Sequence, residues 1–152
     1  MQSTEFCSIA TVDPEGVWSN PVYFAWDSNF NIFFISQPDS RHMKNIANDQ
    51  RVAMSIYNTK QSTFDDVAGI QLEGRAEVLT NPKNIKYAYA TYYGRKYPDT
   101  GRNQSGKNED AYINNPEWLF VRVALFCIYY FDTRFFGENR VEVPLDKLRQ
   151  TD

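Results

Sequence analysis

The sequence predicts a mainly β fold flanked by two or more short helices, on three observations. Aromatic residues make up 16% of the chain, with ten Tyr and eleven Phe, and such side chains pack well on pleated surfaces. Apolar runs are short and are bounded by Pro, Gly, Asp and Ser clusters that stop strands. At residues 69–79, Gln71, Glu73 and Arg75 alternate with Ile70, Leu72, Gly74 and Ala76, which is the period of a strand with one polar and one packed face. A chain of 152 residues is long enough to bury a real core and reads as one domain, residues 1–152.

Phe6, Ile9, Ala10 and Val12 predict a first strand, ended by Asp13-Pro14-Glu15-Gly16. Residues 17–26 follow as a second strand, in which Pro21 implies an edge position, a bulge or a backbone facing a ligand. Ile32, Phe33, Phe34 and Ile35 form a short buried strand, stopped at Gln37-Pro38-Asp39-Ser40. A helix over residues 40–48 then has Met43, Ile46 and Ala47 on one face, and residues 51–57 return as a strand. Residues 58–66 read as a loop, 69–79 as the long strand and 84–93 as a helix, introduced by Asn81-Pro82 and stopped at Gly94. Residues 118–131 are apolar on both faces except at Arg122, so this strand is expected to be covered on both sides. Val141, Val143 and Leu145 belong to a short strand and tail.

The start of the first helix carries the chemical signal. Its first turn holds Arg41 and His42 directly after the Ser40 hydroxyl. Cations are disfavoured there unless something negative sits among the exposed N–H groups. Backbone amides, a hydroxyl, a forked guanidinium and an imidazole make an anion pocket. The other reading of the same residues is a surface ion pair of Arg41 with Asp39 or with a remote carboxylate.

Composition narrows the function. A formal net charge of -3 opposes bulk attraction to nucleic acid or anionic membrane. Bases and aromatics interleave at residues 95–115, a pattern compatible with single-stranded nucleic acid, but Asp99, Glu109 and Asp110 dilute the charge and a loop over a ligand cleft is favoured. No apolar run reaches membrane-spanning length and the N-terminus has no signal-peptide pattern, so cytoplasm is expected. Cys7 and Cys127 read as buried reduced thiols, and with His42 the sole histidine no metal site is expected.

The order IFFIS, PDSRH, a short helix containing Asn45-Ile46, RVAMSIY and then GIQLEGRAEV at residues 69–78 resembles the pyridoxamine 5'-phosphate oxidase-like family of FMN-binding split β-barrels, from about Glu5 to Arg140. The resemblance implies a homodimer with FMN in clefts between protomers and oxidoreductase chemistry on a small molecule. It implies that Ser40, Arg41 and His42 bind the FMN phosphate, and that Ile35 and Ser36 lie at the phosphate or ribityl chain. Pro21, Val22, Tyr23 and Phe24 would lie against the isoalloxazine, Gln71 would supply an amide, and Tyr130 or Phe131 with Arg140 would come from the partner chain. A flavin brings its own hydride and electron chemistry, so no acid–base dyad is required of the protein. Two departures argue against vitamin B6 phosphate as substrate. His42 stands where the oxidases carry lysine, and Arg140-Val141-Glu142 stands where they carry Arg-x-His, placing a repelling carboxylate near a phosphorylated substrate. The alternatives are a non-catalytic flavin-binding sensor or carrier, a deazaflavin-dependent reductase, a haem protein (the weaker option, its imidazole being already assigned), or a cofactor-free dimeric barrel.

Overall fold

Asp13 and Gly16 pair across a two-residue turn in the computed structural model, which describes residues 4, 6–57, 67–94, 108–114 and 117–149. The Asp13 side chain accepts the Glu15 N–H at 2.9 Å, and Gly16 has φ of 137°, a value that L side chains rarely adopt. This turn joins β1 (Phe6–Asp13) to β2 (Gly16–Tyr23) as an antiparallel hairpin. Pro21 is tolerated because β2 is the edge of the sheet.

The second strand predicted at 17–26 is two strands. It breaks at Phe24, after which β3 (Ala25–Trp26) pairs with β4 (Asn31–Ser36). The break has a topological cause. The strand order is β2, β1, β5, β6, β7, β4, β3, so the first and last strands of the sheet are joined by one residue. The sheet therefore curls so that its two edges are linked at Phe24, a split β-barrel with fully buried Phe24 at the seam.

The remaining strands are β5 (Arg51–Tyr57), β6 (Ala68–Val78), β7 (Leu119–Asp132) and β8 (Val141–Glu142), the last paired with β7. The helices are α1 (Arg41–Asn48), α2 (Pro82–Gly94), α3 (Asp110–Ile113), α4 (Thr133–Phe136) and α5 (Leu145–Leu148). Asn81 accepts the Lys83 N–H at 2.9 Å at the start of α2. The short helix α3 lies inside the stretch read as a polar loop, and α4 and α5 have no counterpart in the sequence reading. Residues 58–66 and 95–107, both read as loops, lie outside the described residues.

Two hydrophobic cores form among the described residues. The barrel interior holds Ile9, Phe34, Leu72, Val121 and Val123, closed at one end by Met43 and Ile46 of α1. A second core lies between α2, α3 and the outer side of β4 and β7, with Phe33, Ile85, Ala88, Tyr112 and Phe120. The expected double covering of β7 thus comes, over its first half, from the chain's own helices. Beyond the register shift at Glu73/Gly74 its outer face stays open, and Phe126 is 57% exposed.

Candidate functional site

Ser40 occupies the cap position of α1, with φ -64° and ψ 150°, but its hydroxyl makes no cap bond. It donates instead to the Gln37 carbonyl at 2.8 Å. The first turn of α1 contains no acidic residue, so its amides and the positive end of the helix have no negative side chain of their own.

Arg41 is paired with a carboxylate 28 residues away. Its Nε donates to Asp13 Oδ2 at 2.8 Å and its Nη2 to Asp13 Oδ1 at 3.2 Å, and the guanidinium carbon lies 4.8 Å from the Trp18 ring centroid. The side chain remains 37% exposed. The Arg41 guanidinium holds the Asp13 carboxyl below its usual range, and Asp13 in turn raises the pKa of Arg41. Of the two sequence readings, the ion pair with a remote carboxylate is therefore present, and the Glu15 carboxylate also lies 3.9 Å from Arg41 Nη2.

His42, expected as an imidazole in the anion pocket, does not sit at its exposed rim. It is buried beneath the turn, with Nε2 2.7 Å from Ser36 Oγ and 3.4 Å from Ser40 Oγ. Burial lowers its pKa, which favours the neutral imidazole. Ser36 follows the inward phase of Ile32 and Phe34, whereas Ile35 points the other way and packs on the second core.

Of the other predicted residues, Gln71 and Arg140 line a cavity of about 550 Å³ on the outer face of the barrel. One cross-strand row runs through Ser8, Ser55, Gln71 and Tyr129, with Pro21 opposite Ser8 at the sheet edge. The next row runs through Ala10, Ala53, Glu73 and Cys127. These residues are small or polar, so the floor is shallow and accessible. Arg140 Nε donates to Gln71 Oε1 at 2.9 Å, and its guanidinium lies 5.7 Å from the Phe131 ring centroid. Gln71, Phe131 and Arg140 are thus together within one chain.

Four predicted residues are placed otherwise. Tyr130 faces the opposite side of β7 from Phe131 and donates to Asp132 Oδ2 at 2.8 Å. Val22 and Phe24 point into the core, and the Tyr23 ring packs on Phe6 with centroids 3.8 Å apart. What β2 offers a ligand is the row of backbone N–H and C=O groups along its free edge. Cys127 is half-buried on the cavity wall rather than buried in the core. Neither cysteine is in a disulfide, and burial raises the Cys127 pKa, with smaller contributions from Glu73 and Glu142.

Asp13, Thr11 and Asn45 escaped the sequence reading. Thr11 shares the inward phase of Cys7 and Ile9, and Asn45 lies between Met43 and Ile46 on the buried side of α1. A polar residue at a core-phase position needs a partner, and that was the available signal.

The model of the family described as pyridoxamine 5'-phosphate oxidase matches residues 1–119. A comparison with curated proteins finds no match. Among solved structures, the chain resembles a conserved hypothetical protein from Mycobacterium tuberculosis, at 21% identity over 93% of this chain and 86% of that one, with a TM-score of 0.69. It also resembles a heme binding protein from Mycobacterium smegmatis, at 17% identity over 96% of this chain and 55% of that one, TM-score 0.71. A third is a protein related to general stress protein 26, of the pyridoxinephosphate oxidase family, from Clostridium acetobutylicum, at 11% identity over 97% and 90% of the chains, TM-score 0.65. At these identities the likeness shows the fold, and it agrees with the family match. With more than three quarters of its length under that family model, the chain belongs to the pyridoxamine 5'-phosphate oxidase family.

Proposed function

We propose that this protein is an FMN-binding flavoprotein, one FMN-binding domain per chain, that acts as a flavin-dependent oxidoreductase on a small molecule other than vitamin B6 phosphate. The observation that carries the reading is the first turn of α1. Its amides lack a capping side chain and a carboxylate, and the Ser40 hydroxyl and the Arg41 guanidinium stand at its rim. That donor set fits a phosphate monoester. Members of the family typically bind a flavin and are often dimeric, which supports the cofactor and a second copy alongside.

In this reading the amides of the first turn, Ser40 and Arg41 hold the phosphate. Neutral His42 and Ser36 brace the turn from below and add no charge, so phosphate affinity rests on Arg41 and the helix end. The free edge at the end of β2 and the following Phe24, residues 21–24, offers backbone groups to the ring, and Gln71, Phe131 and Arg140 of one protomer serve the cleft of the other. The flavin, when bound, supplies the hydride and electron transfer. The residues of the chain orient it and shape access. A haem at this site is disfavoured because the only imidazole is buried and bonded to Ser36.

The absorption spectrum of the protein after incubation with FMN and removal of free ligand is the direct test. Retained flavin is expected, and a colourless protein refutes the proposal. Arg41→Ala is expected to weaken FMN roughly ten- to a hundredfold by removing a charge-assisted hydrogen bond, while riboflavin, which lacks the phosphate, changes little. Equal losses for both ligands would remove Arg41 from the phosphate site. Reduction by NADH or NADPH with turnover is expected of an oxidoreductase, and bound flavin without turnover points to a carrier or sensor. Sedimentation of the flavin-loaded protein as a dimer checks the second copy.

A further inference from the structure

We propose that Asp13 is a positioning residue for the phosphate site, holding Arg41 by one edge of its guanidinium so that the other edge is presented to the ligand phosphate. The proposal rests on the phosphate reading of α1 above. A guanidinium carries five N–H donors in one plane. Asp13 takes the lateral edge, Nε and one Nη2 hydrogen. The terminal edge, formed by Nη1 and the second Nη2 hydrogen, is the pair whose spacing matches two oxygens of a phosphate. Trp18 lies against the face of the same plane at 4.8 Å. Edge and face together fix the guanidinium in orientation as well as in place.

Asp13 is itself held by neighbouring polar groups. The Asn45 amide nitrogen, in the orientation that satisfies both ends of the side chain, donates to Asp13 Oδ2 at 3.1 Å and to the Arg41 carbonyl at 3.0 Å. Its oxygen accepts from Thr11 Oγ1 at 3.0 Å. The Glu15 N–H holds the other carboxylate oxygen at 2.9 Å. Thr11 and Asn45 are buried at 2% and 3% exposure. Burying two polar side chains is unfavourable unless their bonds are kept, and the bonds they keep define where the carboxylate points. Glu15, by contrast, is exposed, and its carboxylate is 3.9 Å from Arg41 Nη2. Without Asp13 the long Arg41 side chain would be left with only this longer contact to an exposed carboxylate and would regain its rotamers, so its ordering would have to be supplied by the ligand.

The rival role is competition, in which Asp13 occupies the guanidinium that the phosphate needs. Affinities for FMN and riboflavin separate the two. Asp13→Asn is expected to weaken FMN about tenfold and leave riboflavin unchanged. Arg41→Lys keeps the charge and loses the planar fork, so it is expected to weaken FMN similarly, and adding Asp13→Asn to it should cost nothing further. Unchanged or tighter FMN binding by Asp13→Asn overturns the proposal in favour of a bystander or a competitor. Parallel loss of both ligands reduces Asp13 to a staple between α1 and β1. If the unaltered protein does not prefer FMN to riboflavin, the phosphate reading fails first and this inference fails with it. Should Asp13→Asn not fold, Thr11→Val, which removes the hydroxyl bonding Asn45, is expected to lower FMN affinity selectively in the same direction, and an unchanged preference there also overturns the proposal.

Discussion

His42 shows how one side chain acquires its properties from its surroundings. In the unfolded chain it titrates near its ordinary value, whereas in the barrel burial beneath α1 lowers its pKa. The unfolded state therefore takes up the proton first as pH falls below about 6.5, and stability decreases from there down to the folded pKa. The urea midpoint is expected to drop between about pH 7.5 and pH 5.5, and His42→Gln should flatten that part of the profile, since a neutral amide has no proton to gain. An unchanged slope in His42→Gln would place the acid sensitivity elsewhere. The residue was visible in the sequence as a candidate ligand because it follows Ser40 and Arg41, but its burial was not. A one-residue step along a helix turns a side chain by 100°, and which of Arg41 and His42 faces the barrel depends on where α1 docks.

At the scale of elements, β6 and β7 are held in register by close approach at glycine. A Cβ built on Gly74 would lie 2.6 Å from Val123 Cγ1 and 2.8 Å from the Ala124 carbonyl. The carbonyl belongs to the sheet ladder and cannot move aside without cost, so Gly74→Ala is expected to destabilise the fold by about 1–3 kcal/mol in chemical denaturation. A loss under about 0.5 kcal/mol would mean that the ladder yields. The same pair of strands shows what periodicity could and could not reveal. The polar face of β6 at Gln71, Glu73 and Arg75 was legible from alternation alone, with bounds of 69–79 against the observed Ala68–Val78. The register shift that leaves Phe126 unpaired was not, because a bulge in one strand is defined by its partner. The helix α4 was missed for a related reason. Its start depends on Asp132, which accepts from the Arg134 N–H and side chain only after the long strand has ended.

For the whole molecule, closure of the sheet is concentrated at Phe24. It has no exposed surface and lies where the chain passes from one edge of the sheet to the other. Phe24→Ala is expected to cost about 3–5 kcal/mol, because the cavity forms at a seam that neighbouring strands cannot collapse to fill. Fluorescence-monitored urea unfolding measures it, and a cost near 1 kcal/mol would show that the seam repacks. The outer face with Ser8, Ala10, Ala53 and Ser55 as its floor is left open by the described residues. That is where the proposed second copy and flavin ring would lie. No helix among the described residues is long and apolar enough to cross a membrane.

The amino-acid order alone determined the strands as apolar runs between turn clusters, the helix after Ser40, the polar face of β6 and the anion-compatible first turn. These are properties of neighbours in the chain, and local sterics and periodicity are sufficient to set them. Only the tertiary structure decided that Arg41 meets Asp13, that His42 is buried with its pKa lowered, that Tyr130 turns away from Phe131, and that 17–26 divides at Phe24. Each of those depends on contacts between residues far apart in sequence, such as the 28-residue separation of Asp13 and Arg41. Pairing of that kind is set by strand order and by the docking of α1 on the barrel, which no local pattern encodes.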